Sequence, residues 1–153
     1  MRKYPTLLGI ISMALFLVTG VAVLAIAARN SSLDLESRQF LTAAIPAIFT
    51  DWDERELISR ASTDLQAAVK GRDLDRLFAG MSRKLGSLKD CERIDGGASI
   101  SMETERGIVV TGEYVAKTLF EGGAADIRLS LIKEEGDWQI LSFRLDSDKF
   151  REK

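Results

Sequence analysis

The chain has no histidine, one cysteine and two prolines among its 153 residues. Without histidine, the commonest general base and the commonest nitrogen ligand for zinc are both missing. His-activated nucleophiles and His-ligated metal centres are therefore excluded. Cys91 stands alone, so no intramolecular disulfide forms. No run of Lys and Arg interleaved with aromatics occurs, and nucleic acid is not an expected partner.

What is present begins with an apolar run. Thr6 to Ala28 are 23 consecutive uncharged residues, preceded by Arg2 and Lys3 and closed by Arg29. As a helix the run would reach about 35 Å, enough for a hydrocarbon core of about 30 Å. The expectation is a single membrane span over residues 6–28 with a short cytoplasmic start over 1–5. The rest of the chain then lies outside, in the periplasm of a bacterial cell. Ala25-Ile26-Ala27 also fits a signal-peptidase site, and cleavage near Ala27 is the alternative, giving a secreted periplasmic chain. Beyond Arg29 the chain keeps 18 basic and 23 acidic residues, a net charge of −5.

Residues 30–35 read as a polar stalk, with Ser31 or Ser32 capping a helix that begins near Leu35. Phe40, Leu41, Ala44, Ile45, Ile48, Phe49 and Trp52 recur at helical spacing, with a kink expected at Pro46. A second helix is predicted from Asp53 to Val69, ended by Gly71, and a third from the cap Asp73 to Gly86. After a connection over 87–97 the period changes from 3.6 to 2. Four strands are predicted: Ala98 to Thr104, Ile108 to Phe120, Ala124 to Glu134 and Trp138 to Ser147. Turns at 105–107, 122–123 and 135–137 set Met102 opposite Val110, Tyr114 opposite Leu131, and Leu131 opposite Leu141. The three choices agree on one apolar face, as a period of 2 demands. The fold class is α+β: three helices packed on one face of a four-stranded antiparallel meander over 36–147, with a polar tail over 148–153.

That element order, with Trp52-Asp53, Leu77-Phe78, Lys84-Leu85-Gly86, Tyr114-Val115-Ala116, Phe120-Glu121 and Trp138-Gln139-Ile140, resembles the cystatin-like or NTF2-like superfamily. In particular it is similar to small uncharacterised bacterial envelope proteins that carry this domain behind an N-terminal membrane segment. The resemblance implies a curved sheet wrapped around helices, often enclosing a conical pocket, and frequent dimerisation. It implies no single activity, since function lives in sites grafted on folds.

The predicted inner face holds one titratable group, Tyr114, with no carboxylate to join it, so no catalytic residue is assigned and an enzyme is not expected. A small apolar ligand in the cone would be closed in by Trp52, Phe78 and Met81, with Tyr114 as polar anchor. The acidic cluster Asp51, Asp53, Glu54 and Glu56 lacks the Gly turn of a calcium loop, and no metal or cofactor is expected. Cys91, with Lys89 and Arg93 offset by Asp90 and Glu92, reads as a small buried residue. The predicted outer face collects Trp138, Ile140, Ile132 and Val115, a patch suited to a second copy or another envelope protein. The expected function is that of a non-enzymatic, membrane-anchored envelope protein acting through this external domain. Small-ligand binding in the cone is the alternative.

Overall fold

The computed structural model describes residues 30–70 and 73–151. The chain divides into two compact units, up to Leu33 and from Asp34 onward. The expected span 6–28, the start 1–5 and Gly71 lie outside the described residues. Among the described residues, no helix is long and apolar enough to cross a membrane.

The architecture is α+β. A first helix, α1, covers residues 30–49 of the described chain, so residues 30–35 are helical and not the expected irregular stalk. Pro46 does not interrupt it: its ring is on the exposed side, and Thr50 still donates to the Pro46 carbonyl at 3.1 Å. Leu41, Ala44, Ile45, Ile48 and Phe49 are completely buried, as their helical spacing predicts.

The expected second helix is two: α2 (Glu54–Arg60) and α3 (Thr63–Val69). Asp53 caps α2 by accepting from the Arg55 N–H, and Ser62 caps α3 by accepting from the Leu65 N–H. Between them Ala61 is extended and bridges to Ile140, whose carbonyl accepts from the Ser62 N–H at 2.9 Å. The sheet edge and the serine cap together break a helix that apolar spacing alone would continue. The last α-helix, α4 (Leu74–Leu85), runs between the predicted cap Asp73 and Gly86.

The sheet is a meander of β1 (Leu88–Glu103), β2 (Gly107–Phe120), β3 (Gly123–Glu134) and β4 (Asp137–Asp146) in the order β1-β2-β3-β4. β1 begins ten residues before the expected strand, so the presumed connection is strand as well. Its first half, Lys89 to Asp95, is too charged for apolar alternation to reveal it, and register shifts interrupt it between Leu88 and Asp90 and between Cys91 and Arg93.

Registers differ from expectation in an informative way. Met102 pairs with Ile108 rather than Val110, and Tyr114 pairs with Leu129 rather than Leu131. Both are slips of two residues, which change partners but keep faces. The β3–β4 pair agrees with expectation at Leu129↔Phe143 and Ile127↔Leu145, then slips by one, so that Leu131 faces Ile140. The cause is the turn. Glu135 and Gly136 both have positive φ, 53° and 94°, forming a tight two-residue hairpin in place of the expected three-residue loop. A bulge at Leu141 absorbs the remaining residue, and Trp138 and Ile140 change face.

Gly96 marks a further position of positive φ in the sheet. Its φ is +130°, and a Cβ there would stand 2.0 Å from the Glu113 carbonyl oxygen on the paired strand. Gly96→Ala is expected to destabilise the protein by more than about 1 kcal/mol, the usual bound where alanine fits the backbone, read from thermal unfolding.

Candidate functional site

The cone between helices and sheet is filled by rings. Phe49 packs edge-on against Trp52 at 5.5 Å between centroids and lies 6.4 Å from Phe78, 6.5 Å from Phe120 and 6.3 Å from Phe143. Trp52 stacks on Phe120 at 5.6 Å and meets Phe78 edge-on at 5.7 Å. The Trp52 backbone is left-handed, φ 54°, and its indole N–H donates to the Gly86 carbonyl at 2.8 Å. That bond fixes the ring at the junction of α1 and α4, an uncommon conformation for so bulky a side chain. Trp52 and Phe78 are therefore parts of one packed aromatic core. Met81 lies apart, half-buried in an open groove of about 560 Å³ that Leu65, Leu74, Leu77, Phe143 and Leu145 also line.

Tyr114 belongs to a different cluster. It is 2 % exposed, and its hydroxyl lies 2.5 Å from Ser37 Oγ and 3.5 Å from Asp34 Oδ1. Ser37 donates on to the Asp34 carbonyl, and the Arg38 guanidinium sits 5.6 Å from the Tyr114 ring centroid. Burial pushes the Tyr114 phenol up, opposed by its hydrogen bond with Ser37. A carboxylate does approach Tyr114, contrary to expectation, and it comes from the segment read as stalk. The signal was available: Asp34, Ser37 and Arg38 share a helical face once the helix starts early enough.

The same residues hold the edge of β1. Arg38 donates to the carbonyls of Ile94 and Gly96, and Asp34 Oδ1 accepts from the Ala98 N–H at 2.6 Å. Tyr114 is the buried end of a clamp that fastens α1 to the sheet edge. Tyr114→Phe should cost about 0.5–1.5 kcal/mol, the usual net worth of such a bond, and fray β1 near Gly96; chemical denaturation measures the first and amide exchange at Ala98 the second.

The expected interaction patch is not assembled. Trp138 is 8 % and Ile140 0 % exposed, both on the helix side of the sheet, while Ile132 and Val115 lie on the opposite face, with Ile132 only 3 % exposed. The one-residue slip in β4 is the physical reason. Trp138 stands beside Lys133, whose ammonium lies 5.7 Å from the ring centroid and pairs with Glu36 of α1. That hydrogen bond from Lys133 holds the Glu36 carboxyl below its ordinary range, helped slightly by the nearby Trp138 indole. The indole N–H is close enough to act on that charge yet makes no geometrically complete hydrogen bond.

On the other face, a groove lined by Arg128, Arg144, Arg151, Asp126, Asp146 and Asp148 carries three charges of each sign. Asp146 accepts from Arg128 at 2.9 Å and from Arg144 at 3.1 Å, and the first of these pulls its carboxyl down. Among the described residues no group of His, Cys, Asp and Glu is arranged to hold a metal ion. The Cys91 thiol is half-buried, and burial, with Asp90 alongside, pushes it up toward the unreactive protonated form.

Besides Leu35, Ile58, Leu77 and Leu119, exposed apolar side chains gather at the β1–β2 hairpin end. Met102 is 80 %, Ile108 69 % and Ile100 46 % exposed, and the register puts all three on the helix side of the sheet beyond the cover of α1. The apolar alternation that sets Met102 opposite Val110 predicts an inward, covered position; among the described residues the hairpin outruns the helices, which alternation does not reveal.

No family model, no curated protein and no solved structure matches the chain.

Proposed function

We propose that this protein is a non-enzymatic, single-pass envelope protein whose external domain mediates protein interaction, in the first place with copies of itself. The observation that carries the reading is the hairpin end: three large apolar side chains, Ile100, Met102 and Ile108, that no helix among the described residues covers. The membrane anchor rests on the apolar run 6–28 and its basic flanks, with the domain in the periplasm; release by cleavage near Ala27 is the alternative. The layering of helices on a curved meander is consistent with an NTF2-like or cystatin-like domain. An enzyme is disfavoured because the Tyr114 hydroxyl is engaged by Ser37, and the Asp34 carboxylate beside it accepts from the Ala98 N–H in the clamp on β1.

The test is the protein mass of the full chain in detergent micelles, by light scattering corrected for bound detergent, over a hundredfold dilution. A mass falling from dimer to monomer supports the reading. A monomer throughout contradicts it.

The groove between α3, α4 and β4 favours a second reading, a small apolar ligand. Leu65, Leu74, Leu77, Met81, Phe143 and Leu145 give it an apolar lining with room for a short hydrocarbon chain. A fluorescent naphthalene sulfonate that binds the full chain, and is displaced by Met81→Trp, would support this; binding unaffected by the substitution would exclude the groove.

A further inference from the structure

Both edges of the sheet are met by the helical layer over part of their length. On β4 the outward carbonyl of Ile140 is taken by the Ser62 N–H. On β1 the outward groups alternate along the strand: Arg38 takes the carbonyls of Ile94 and Gly96, and Asp34 takes the Ala98 N–H. The β1–β2 register then continues without a shift to Glu103, so the outward N–H and C=O groups beyond Ala98 belong to Ile100 and Met102. Among the described residues, nothing caps them. An open strand edge of this kind is a template for another strand.

The composition of that edge says which strand. Lys89 to Asp95 of β1 carry five charges, whereas Gly96 to Met102 carry none, in a chain that is 29 % charged. Charge along an edge strand discourages pairing, and its absence invites it. The stretch also complements itself. In antiparallel pairing about Ser101, Ile100 of one copy lies opposite Met102 of the other, Ser101 opposite Ser101, and Glu103 opposite Ser99. No like charges meet, both copies offer their free N–H and C=O groups at the same positions, and Ile100, Met102 and Ile108 of the two copies gather on one face.

Resting on the self-association reading above, we propose that residues 99–103 of β1 pair antiparallel, about a two-fold axis at Ser101, with the same residues of a second copy. The two four-stranded sheets become one of eight strands. The contact is smaller than the roughly 1,600 Å² of a standard interface, so the dimer is weak and concentration-dependent.

The geometry is tested by cross-linking the full chain in detergent with Cys91 replaced by Ser. The two Ser101 residues form a non-hydrogen-bonded pair with Cα atoms about 4.5 Å apart, within the range a disulfide spans. The two Ser99 residues are offset by four positions along the strands, about 13 Å, and are out of reach. Under mild oxidation, Ser101→Cys is expected to give several-fold more disulfide-linked dimer than Ser99→Cys. Equal yields, or none from Ser101→Cys, would overturn the proposal. A second variant avoids oxidation: Met102→Pro removes an outward N–H, leaves the β2 ladder bonds intact and should abolish the dimer with the far-ultraviolet spectrum unchanged. A folded Met102→Pro chain that keeps its dimeric mass would also overturn it. A wild-type dimer that fails both tests leaves self-association standing and removes this interface; a wild-type monomer removes both.

Discussion

Phe49→Ala is expected to destabilise the protein by about 3–5 kcal/mol, the cost of removing a fully buried ring. Phe49 is 0 % exposed and lies within 6.5 Å, centroid to centroid, of Trp52, Phe78, Phe120 and Phe143, so its loss opens a void that four neighbouring rings border. Rings resist collapse into such a space because each is already held by another contact: Trp52 by its bond to the Gly86 carbonyl, Phe143 by its strand pairing with Leu129. For a domain of this size the loss corresponds to a melting temperature lower by roughly 10–20 °C. Near-ultraviolet dichroism reads it through Trp52. A change below about 1 kcal/mol would mean that the cone is not filled as described, and the ligand reading would gain.

Trp138→Glu is expected to be at least as damaging. If Trp138 stood on the exposed outer face, as the sequence suggests, the change would leave stability within about 0.5 kcal/mol. In the structure the ring is 8 % exposed beneath the Lys133 ammonium, and Glu36 stands alongside. The substitution removes the buried ring, worth about 3–5 kcal/mol, and adds a carboxylate near one already paired. Lys133 then has two acids to balance. Urea denaturation of Trp138→Glu against Trp138→Phe separates the two arrangements, since Phe keeps most of the apolar contact and should cost clearly less.

These two substitutions mark where the sequence could and could not be read. Helical spacing predicted the buried face of α1 and the bounds of α4, because Asp73 and Gly86 are strong local signals. The break between α2 and α3 was hidden, since it depends on Ile140, nearly eighty residues away. Strand existence followed from alternation, and face survived wherever the register error was even. Only the odd slip at the Glu135-Gly136 turn inverted an assignment, and it inverted Trp138 and Ile140 together. A Glu at a left-handed turn position is a weak signal beside the usual Asn or Asp, and the longer loop was the natural choice.

The polar clamp was missed for another reason. Asp34, Ser37 and Arg38 gain meaning only when α1 lies along β1, bringing residues some sixty positions apart into hydrogen-bond contact. Seen from there, the unclamped end of β1 stands out. The helix holds the edge as far as Ala98, and the next two outward positions carry large apolar side chains and no charge.

The measurement that bears most directly on this account is amide hydrogen exchange across β1 in the full chain in detergent, resolved to single residues, at concentrations below and above the dimer midpoint. The Ile100 and Met102 amides are expected to exchange fast when dilute and to slow several-fold on association, while Ala98, already bonded to Asp34, is unchanged. If Ile100 and Met102 exchange equally fast at both concentrations while the mass doubles, the copies meet elsewhere and the bare hairpin end has another use.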